Sequence, residues 1–454
     1  MRRIIISLGL AVSGNFLGVT DPVVWANAAI GLQAAQRELQ SLDGPRTYDG
    51  APLTLQGAVE EALAKNPELV ALRKQFEAVR LRPSQERFLS PPTFEAQIWQ
   101  WPINTLNPAN TNMYMFMMNQ DISGFGKRQL RAAVVEKDVD LATNGIAIRA
   151  RHVVDEVKQR YAELFIARKA IDIHGAGVDL LRQFADVSEA KYATGRISQQ
   201  DVLKAVVELS MLHNDVIRLD EQAGLATVQL NALLDRASDA PIGPLAEPHE
   251  RVLVPPSDEL QRLAFAHQPE LQAPRLEIER AEAELAVTKR EYKPDFSVQG
   301  GYMLLPHDAD AVLARVGISW PNAPWSRGKL DARVAEAAAM VEAARARRRT
   351  VENAVRLAVQ EAYVRVKSAE QRAELLRTSV VPQSRQTLDV SLVAYQTERG
   401  DFLALLDNQR TLLHTQLEYF RALSDFEQAL SDLERAIGTE LGPQMTSAVS
   451  AEGK

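Results

Sequence analysis

The side chains that most often carry chemistry are sparse and scattered along this chain. Its seven histidines, at positions 152, 174, 213, 249, 267, 307 and 414, show no paired ligand spacing. Cysteine is absent, which excludes thiolate metal sites, thiol nucleophiles and disulfides. No Gly-rich phosphate loop, Gly-x-Ser-x-Gly elbow or His-Glu-x-x-His helix occurs, and adjacent acids such as Glu60 and Glu61 fit a helix surface. Neither an enzymatic residue, a resident cofactor nor a firm metal site is therefore expected. Unusual donor atoms concentrate at one place, Met113, Met115, Met117 and Met118. In an extended strand, period two sends Met113, Met115 and Met117 to one face and Tyr114, Phe116 and Met118 to the other. Thioether sulfur is a soft ligand suited to Cu(I) or Ag(I). Methionine is equally an adaptable apolar filler, so the first three stand as weak contact candidates with both readings open.

The elements that would position these residues follow from length and composition. The chain has 454 residues, 46% apolar and 24% charged, with a formal net charge of −7. That is enough apolar content for a large core and, by length, for roughly three domains. Mild acidity argues against broad nucleic-acid binding, which needs clustered positive charge to displace counterions. At the amino end, Met1-Arg2-Arg3 precedes an apolar run from Ile4 to Val19, and Ala26-Asn27-Ala28 supplies a small-x-small cleavage pattern. Residues 1–28 are read as a secretory signal. Beyond them no run of about eighteen apolar residues occurs, so no helical membrane span is expected. An exported chain of this kind that enters a bilayer must do so with strands.

The chain then repeats itself. Ala62-Leu63-Ala64-Lys65-Asn66-Pro67-Glu68-Leu69 returns as Ala264-Phe265-Ala266-His267-Gln268-Pro269-Glu270-Leu271. Each copy is followed by a helix, two strand-like runs, a Gly/Lys/Arg turn, a very long helical segment, a tyrosine-marked break (Tyr192; Tyr395) and another helix. A spacing this long marks a domain duplication and not a solenoid. Residues 53–235 form the first repeat and 257–438 the second. Between them, 236–256 holds Pro241, Pro244, Pro248, Pro255 and Pro256, which forbid continuous helix; 439–454 read as a loose tail. From Lys127 to about Ala193, and from Lys329 to about Thr397 with Pro382 as the one interruption, the composition predicts rods of roughly 100 Å. Such rods need lateral partners. Two long antiparallel helical hairpins result, with tips near 194–199 and 396–400. Pro382 either kinks its rod or marks a junction between helices.

Strand patterns select the function. Phe296, Val298, Tyr302 and Leu304 alternate with Ser297, Gln299 and Met303, and Val312, Val316 and Ile318 alternate with Arg315 and Ser319. Each run is about ten residues, the length of a tilted membrane strand. Phe94 to Trp101 and Met113 to Ile122 supply a matching pair, giving hairpins at about 93–122 and 295–320. Four strands alone would leave two open edges in lipid, at several kcal/mol per unpaired group. Three copies would close a barrel of about twelve strands, wide enough for an aqueous lumen.

On these features the chain resembles the TolC-like outer membrane factors of tripartite efflux systems and type I secretion, over nearly all of 53–438. The carriers are the paired Asn66-Pro67-Glu68-Leu69 and Gln268-Pro269-Glu270-Leu271, the junction Gly124-Phe125-Gly126-Lys127-Arg128, the pre-strand Tyr292-Lys293-Pro294, and both hairpin tips. The resemblance implies a mainly α fold with membrane β: helical hairpins form a periplasmic tunnel, and four strands per chain join a trimeric twelve-stranded barrel. It implies an outer-membrane location in a Gram-negative bacterium, and a homotrimer opened by a periplasmic adaptor and fed by an inner-membrane pump. The tip residues Gly195, Arg196, Ile197, Ser198, Glu398 and Gly400 then fall where an adaptor would touch. Many relatives carry a lipidated cysteine, and here anchoring must rest on the barrel.

The resemblance also implies a periplasmic gate. Asp201 falls on the first hairpin's gating aspartate and Tyr395 on the tyrosine opening the second tip. The usual aspartate pair is reduced to Asp407, since Ala404 stands at its first position, and the expected arginine position holds Gly400 with Arg399 one place earlier. Arg399 and Asp201 make a sensible ion pair, and Asp407 carboxylates around a threefold axis would attract cations. The tip Gly195-Arg196-Ile197-Ser198-Gln199-Gln200-Asp201 is similar to the heavy-metal branch, which favours metal cations as substrate over drugs or secreted protein. From another class, the competing reading is a periplasmic coiled-coil adaptor, with one helical hairpin and strands that stay in water.

Overall fold

The computed structural model describes residues 48–441 apart from 101–102, 104–106, 108–109, 196, 247–253, 307 and 398. The expected signal at 1–28, Arg196, Glu398 and positions 442–454 of the tail lie outside the described residues. In chain order the first repeat comprises α1 (Leu55–Lys65), α2 (Pro67–Val79), α3 (Arg82–Arg87), β1 (Thr93–Trp99), β2 (Met113–Ile122), α4 (Lys127–Ala193) and α5 (Gln199–Leu233). The second comprises α6 (Ser257–His267), a 3-10 turn (Pro269–Leu271), α7 (Gln272–Arg290), β3 (Phe296–Leu304) and β4 (Ala311–Ile318). It continues through α8 (Arg327–Leu375), a π turn (Leu376–Val380), α9 (Val381–Gln396) and α10 (Phe402–Ile437). Among the described residues no helix is long and apolar enough to cross a membrane.

The duplicated octamer has one structural job in both halves. The Asn66 side chain accepts from the amides of Glu68 (3.1 Å) and Leu69 (3.3 Å), capping α2. Its Nδ2 donates to the Leu233 carbonyl at 3.1 Å, 167 residues along, at the end of α5. Gln268 Nε2 donates to the Arg435 carbonyl at 2.7 Å, again 167 residues along, at the end of α10. Each copy thus supplies donors to helix carbonyls that have no partner within their own helix. Around these joints lie two matching cores. One joins Ala58, Ala62, Leu69, Val157, Leu164 and Leu230; the other joins Leu260, Ala264, Leu271, Val359, Val366 and Leu433.

Rod lengths follow the helix-compatible composition. The α4 helix runs 67 residues without a break, about 100 Å at the α-helical rise. Pro382 lies in the first turn of α9, directly after the π turn. The wider turn absorbs the bond that proline cannot donate, so the rod continues as two helices joined at this point. The apolar stripe of α10 divides along the helix: Phe426, Leu430, Leu433 and Ile437 are buried, whereas Leu413, Leu417, Phe420 and Leu423 are half-buried.

All four strands form one antiparallel sheet in the order β1-β2-β3-β4, and the two hairpins join through β2 and β3. β1 and β4 are open edges within the chain. Both strand pairs leave into long helices, and the tips lie at the far ends of those rods.

Candidate conduit wall and helical tip

Register sorts the sheet into two unlike faces. Phe94 pairs with Met118, Met118 with Gly300 and Gly300 with Ala314, and one step along Phe116 pairs with Tyr302 and Tyr302 with Val312. Because period two keeps paired residues on the same side, this face is almost wholly apolar. It is also uncovered: Val312 is 81% exposed and Val316 77%. The other face carries Glu95, Gln97, Asn119, Gln299 and Arg315, together with Met113, Met115, Met117 and Met303. An apolar outside, a largely polar inside and two open edges are the properties of a segment of a membrane barrel.

The sheet is bolted to the rods at one buried charge. Lys127, the first residue of α4, is buried, and its Nζ lies 2.8 Å from Asp295 Oδ2. Asp295 Oδ1 accepts from the Gly124 amide at 2.9 Å, while the Asp295 amide donates to Ser319 Oγ at 2.7 Å. One residue, Asp295, therefore ties the end of β2 to the second hairpin, its carboxylate holding Gly124 and Lys127 and its amide holding Ser319. Gly124 is demanded by contact, since a Cβ there would lie 2.3 Å from the Pro294 carbonyl oxygen. Gly126, at φ 77°, makes the left-handed turn into the helix.

At the far end, a core of Phe184, Leu209, Leu388, Tyr395, Phe402 and Leu405 draws α4, α5, α9 and α10 together. Tyr395 is 3% exposed, within this core. Its hydroxyl lies 3.3 Å from Ser188 Oγ, and its carbonyl accepts from Lys191 Nζ at 2.7 Å. That ammonium also stands 3.9 Å from the ring centroid, a cation–π contact. Tyr395 thus stitches the second hairpin to the first. Arg410 Nε donates to Glu208 Oε1 at 2.6 Å, and Nη2 donates to the other carboxylate oxygen. This bidentate pair joins α5 to α10, with Glu208 buried and its hydrogen bond raising the Arg410 pKa. Asp407 is exposed and lines a groove between the hairpins with Gln200, Lys204, Glu208 and Arg410.

No ion pair joins Asp201 to Arg399 within one chain among the described residues. The Asp201 carboxylate accepts from the Ser198 amide (3.3 Å) and hydroxyl (3.0 Å), capping the start of α5. A local cap fixes an acid at the third helical position with little entropy loss, whereas a long exposed arginine has no such advantage. Gly195, at φ 70°, and Gly400, where a Cβ would lie 3.0 Å from Ala394 Cβ, form the tight tips. Ser198 is exposed there and Ile197 half-buried. Sequence reasoning passed over Glu208, Arg410, Ser188 and Lys191. The available signal was spacing, since Glu208 and Arg410 are 202 residues apart, the separation of the duplicated octamers.

Two acids in the helical body titrate abnormally. Burial raises the Glu427 carboxyl to about 7, opposed by Lys158 and reinforced by Glu434. Asp155 is likewise raised by burial, although Ser431 Oγ donates to it at 2.7 Å and Arg435 Nε lies 3.1 Å away. No cluster of three or more His, Asp or Glu that could hold a metal occurs among the described residues.

Comparison with known proteins agrees with this architecture. Residues 260–439 match the outer membrane efflux protein family. Over 443 residues, 96% of this chain and all of the relative, the sequence is 24% identical to the cobalt-zinc-cadmium resistance protein CzcC of Cupriavidus metallidurans. Among solved structures, the fold is similar to CusC, with a TM-score of 0.72 at 15% identity over 87% of this chain and 97% of that one. It is also similar to the outer membrane protein VceC of Vibrio cholerae, with a TM-score of 0.69 at 17% identity over 86% and 97% of the two chains.

Proposed function

We propose that the chain is an outer-membrane efflux duct of the outer membrane efflux protein family, working as a homotrimer within a tripartite system that exports heavy-metal cations. The uncovered apolar face of a sheet with two open edges carries this reading. Such a sheet is unfavourable in water. Hydrocarbon accepts the face, and two further copies satisfy the edges by closing about twelve strands. Leu203, Val207 and Met211 on α5, with Leu357 and Val364 on α8, are exposed apolar residues on the rods. Neighbouring copies would cover them and complete the helical tunnel. A passive duct also fits a chain without catalytic constellations: a periplasmic adaptor meets the tips and an inner-membrane pump supplies the work. The name of the cobalt-zinc-cadmium relative supports metal cations as cargo.

At the periplasmic end, closure is assigned to the contacts that hold the hairpins together. Glu208 with Arg410, and Tyr395 with Ser188 and Lys191, resist separation of the first hairpin from the second. Asp407, exposed beside Arg410, supplies one carboxylate per chain to the aperture. Gly195, Arg196, Ile197, Ser198, Glu398 and Gly400 are assigned to adaptor contact. Asp201 shapes its tip there, and Arg399 stays assigned to the gate with it. In a planar bilayer the purified protein should insert in discrete conducting steps, and Arg410→Ala should raise the unit conductance. Absence of steps from protein recovered in the soluble fraction would reject the duct. An unchanged conductance for Arg410→Ala would reject the latch alone.

A further inference from the structure

We propose that the inner face of the barrel carries a contact site for soft monovalent cations, of the Ag(I) and Cu(I) class, built from Met303 and the three inner-facing methionines of β2, Met113, Met115 and Met117. The inference rests on the duct reading, because that reading makes this face the lumen. Met303 is the direct cross-strand partner of Met115. Met113 and Met117, two residues to either side of Met115, are therefore its diagonal neighbours on the same face. Directly paired Cβ atoms lie about 5 Å apart and diagonal ones within reach of long side chains, so two to three thioethers can converge on one ion. The first-hairpin pattern alone could not disclose this, since Met303 comes from the second repeat.

Three further features single the cluster out from ordinary apolar filling. Gly301 is the partner of Met117, and a Cβ at Gly301 would lie 2.9 Å from Met117 Cγ. The missing side chain is what lets Met117 lie across β3. There its sulfur accepts from Gln299 Nε2 at 3.5 Å, so the thioether already faces a polar partner and keeps a second lone pair. On the opposite side, Glu95 is the partner of Met117 and places one carboxylate beside the sulfurs. A water-filled barrel normally presents polar residues to its lumen, and this one interrupts them with four thioethers. Soft sulfur favours d10 monovalent ions, whereas a single carboxylate with no imidazole or thiolate is a poor site for zinc or cobalt.

The test uses the full-length protein in detergent with its methionine methyl groups carbon-13 labelled, in chloride-free buffer. Silver nitrate should shift the methyl resonances of Met115, Met303 and Met117, and zinc sulfate should leave them in place. Met115→Leu with Met303→Leu, which nearly conserves volume, should weaken the apparent silver affinity at Met117 by at least about tenfold. Met303→Leu alone provides the same comparison if the double variant assembles poorly. Unit conductance is measured on the same preparations. Spectra indifferent to silver, or shifted equally by zinc, in a conducting protein would overturn the site and leave the duct standing. A preparation that neither conducts nor inserts would overturn the duct and the site together.

Discussion

The sheet and the helical tip occupy opposite ends of the same rods and treat apolar side chains in opposite ways. At the tip, Tyr395, Phe402 and Leu405 are buried where four helices meet, and charged groups close over them as Lys191 and the Glu208–Arg410 pair. In the sheet, Phe94, Val312, Val316 and Ile318 point away from the chain, and the polar residues collect on the other side. The residue types overlap, so hydrophobicity alone does not separate the regions. Their surroundings do. The tip is folded for water and finishes its core with its own helices; the sheet is folded for hydrocarbon and requires further strands at both edges.

The sharpest way to break this contrast is a charge on each sheet face. Val316→Arg faces the lipid and should cost about 2–4 kcal/mol in every chain of the assembly, abolishing the oligomer band on unheated gels. Gln299→Arg on the inner face should leave that oligomer intact. Equal tolerance of both changes would mean that the apolar face does not meet lipid. Next in size is the bolt between the regions. Asp295→Ala strands the buried Lys127 ammonium and leaves the Gly124 amide unpaired, which should destabilise the assembly by about 3 kcal/mol and expose the start of α4 to protease. Asp295→Asn should retain part of that loss, because the Gly124 acceptor survives.

The smallest effect lies in the helical body and depends on pH. With its folded pKa raised from 4.5 to about 7, Glu427 binds its proton more tightly in the native state. Its contribution is therefore fully favourable at low pH and is lost as pH rises from the unfolded value through about 7. A shift of that size caps the loss at about 3 kcal/mol, and partial solvent access reduces it to about 1–2. Glu427→Gln should narrow the difference in thermal midpoint between acidic and mildly alkaline buffer. A pH-independent midpoint in the unmodified protein would show that Glu427 ionises normally.

Much of this architecture is legible from short-range patterns. Period-two alternation marks β3, and the proline-free stretch from Lys127 marks α4. The octamers locate two equivalent joints, whose carbonyl partners are 167 residues away and carry no local signature. What the sequence leaves obscure is long-range pairing. Met303 acquires meaning from Met115 across the seam between repeats, and Glu208 from Arg410 across the hairpins. Resemblance to the family directs attention to Asp201 and Arg399, but a local cap at Ser198 claims the aspartate. Asp407 is exposed beside the groove.

The decisive measurement is the mass of the particle extracted from membranes. Light scattering in detergent, corrected for bound detergent, should give three polypeptides per particle, and removal of detergent should precipitate it. A single polypeptide that stays monodisperse in plain buffer would contradict the account at its root.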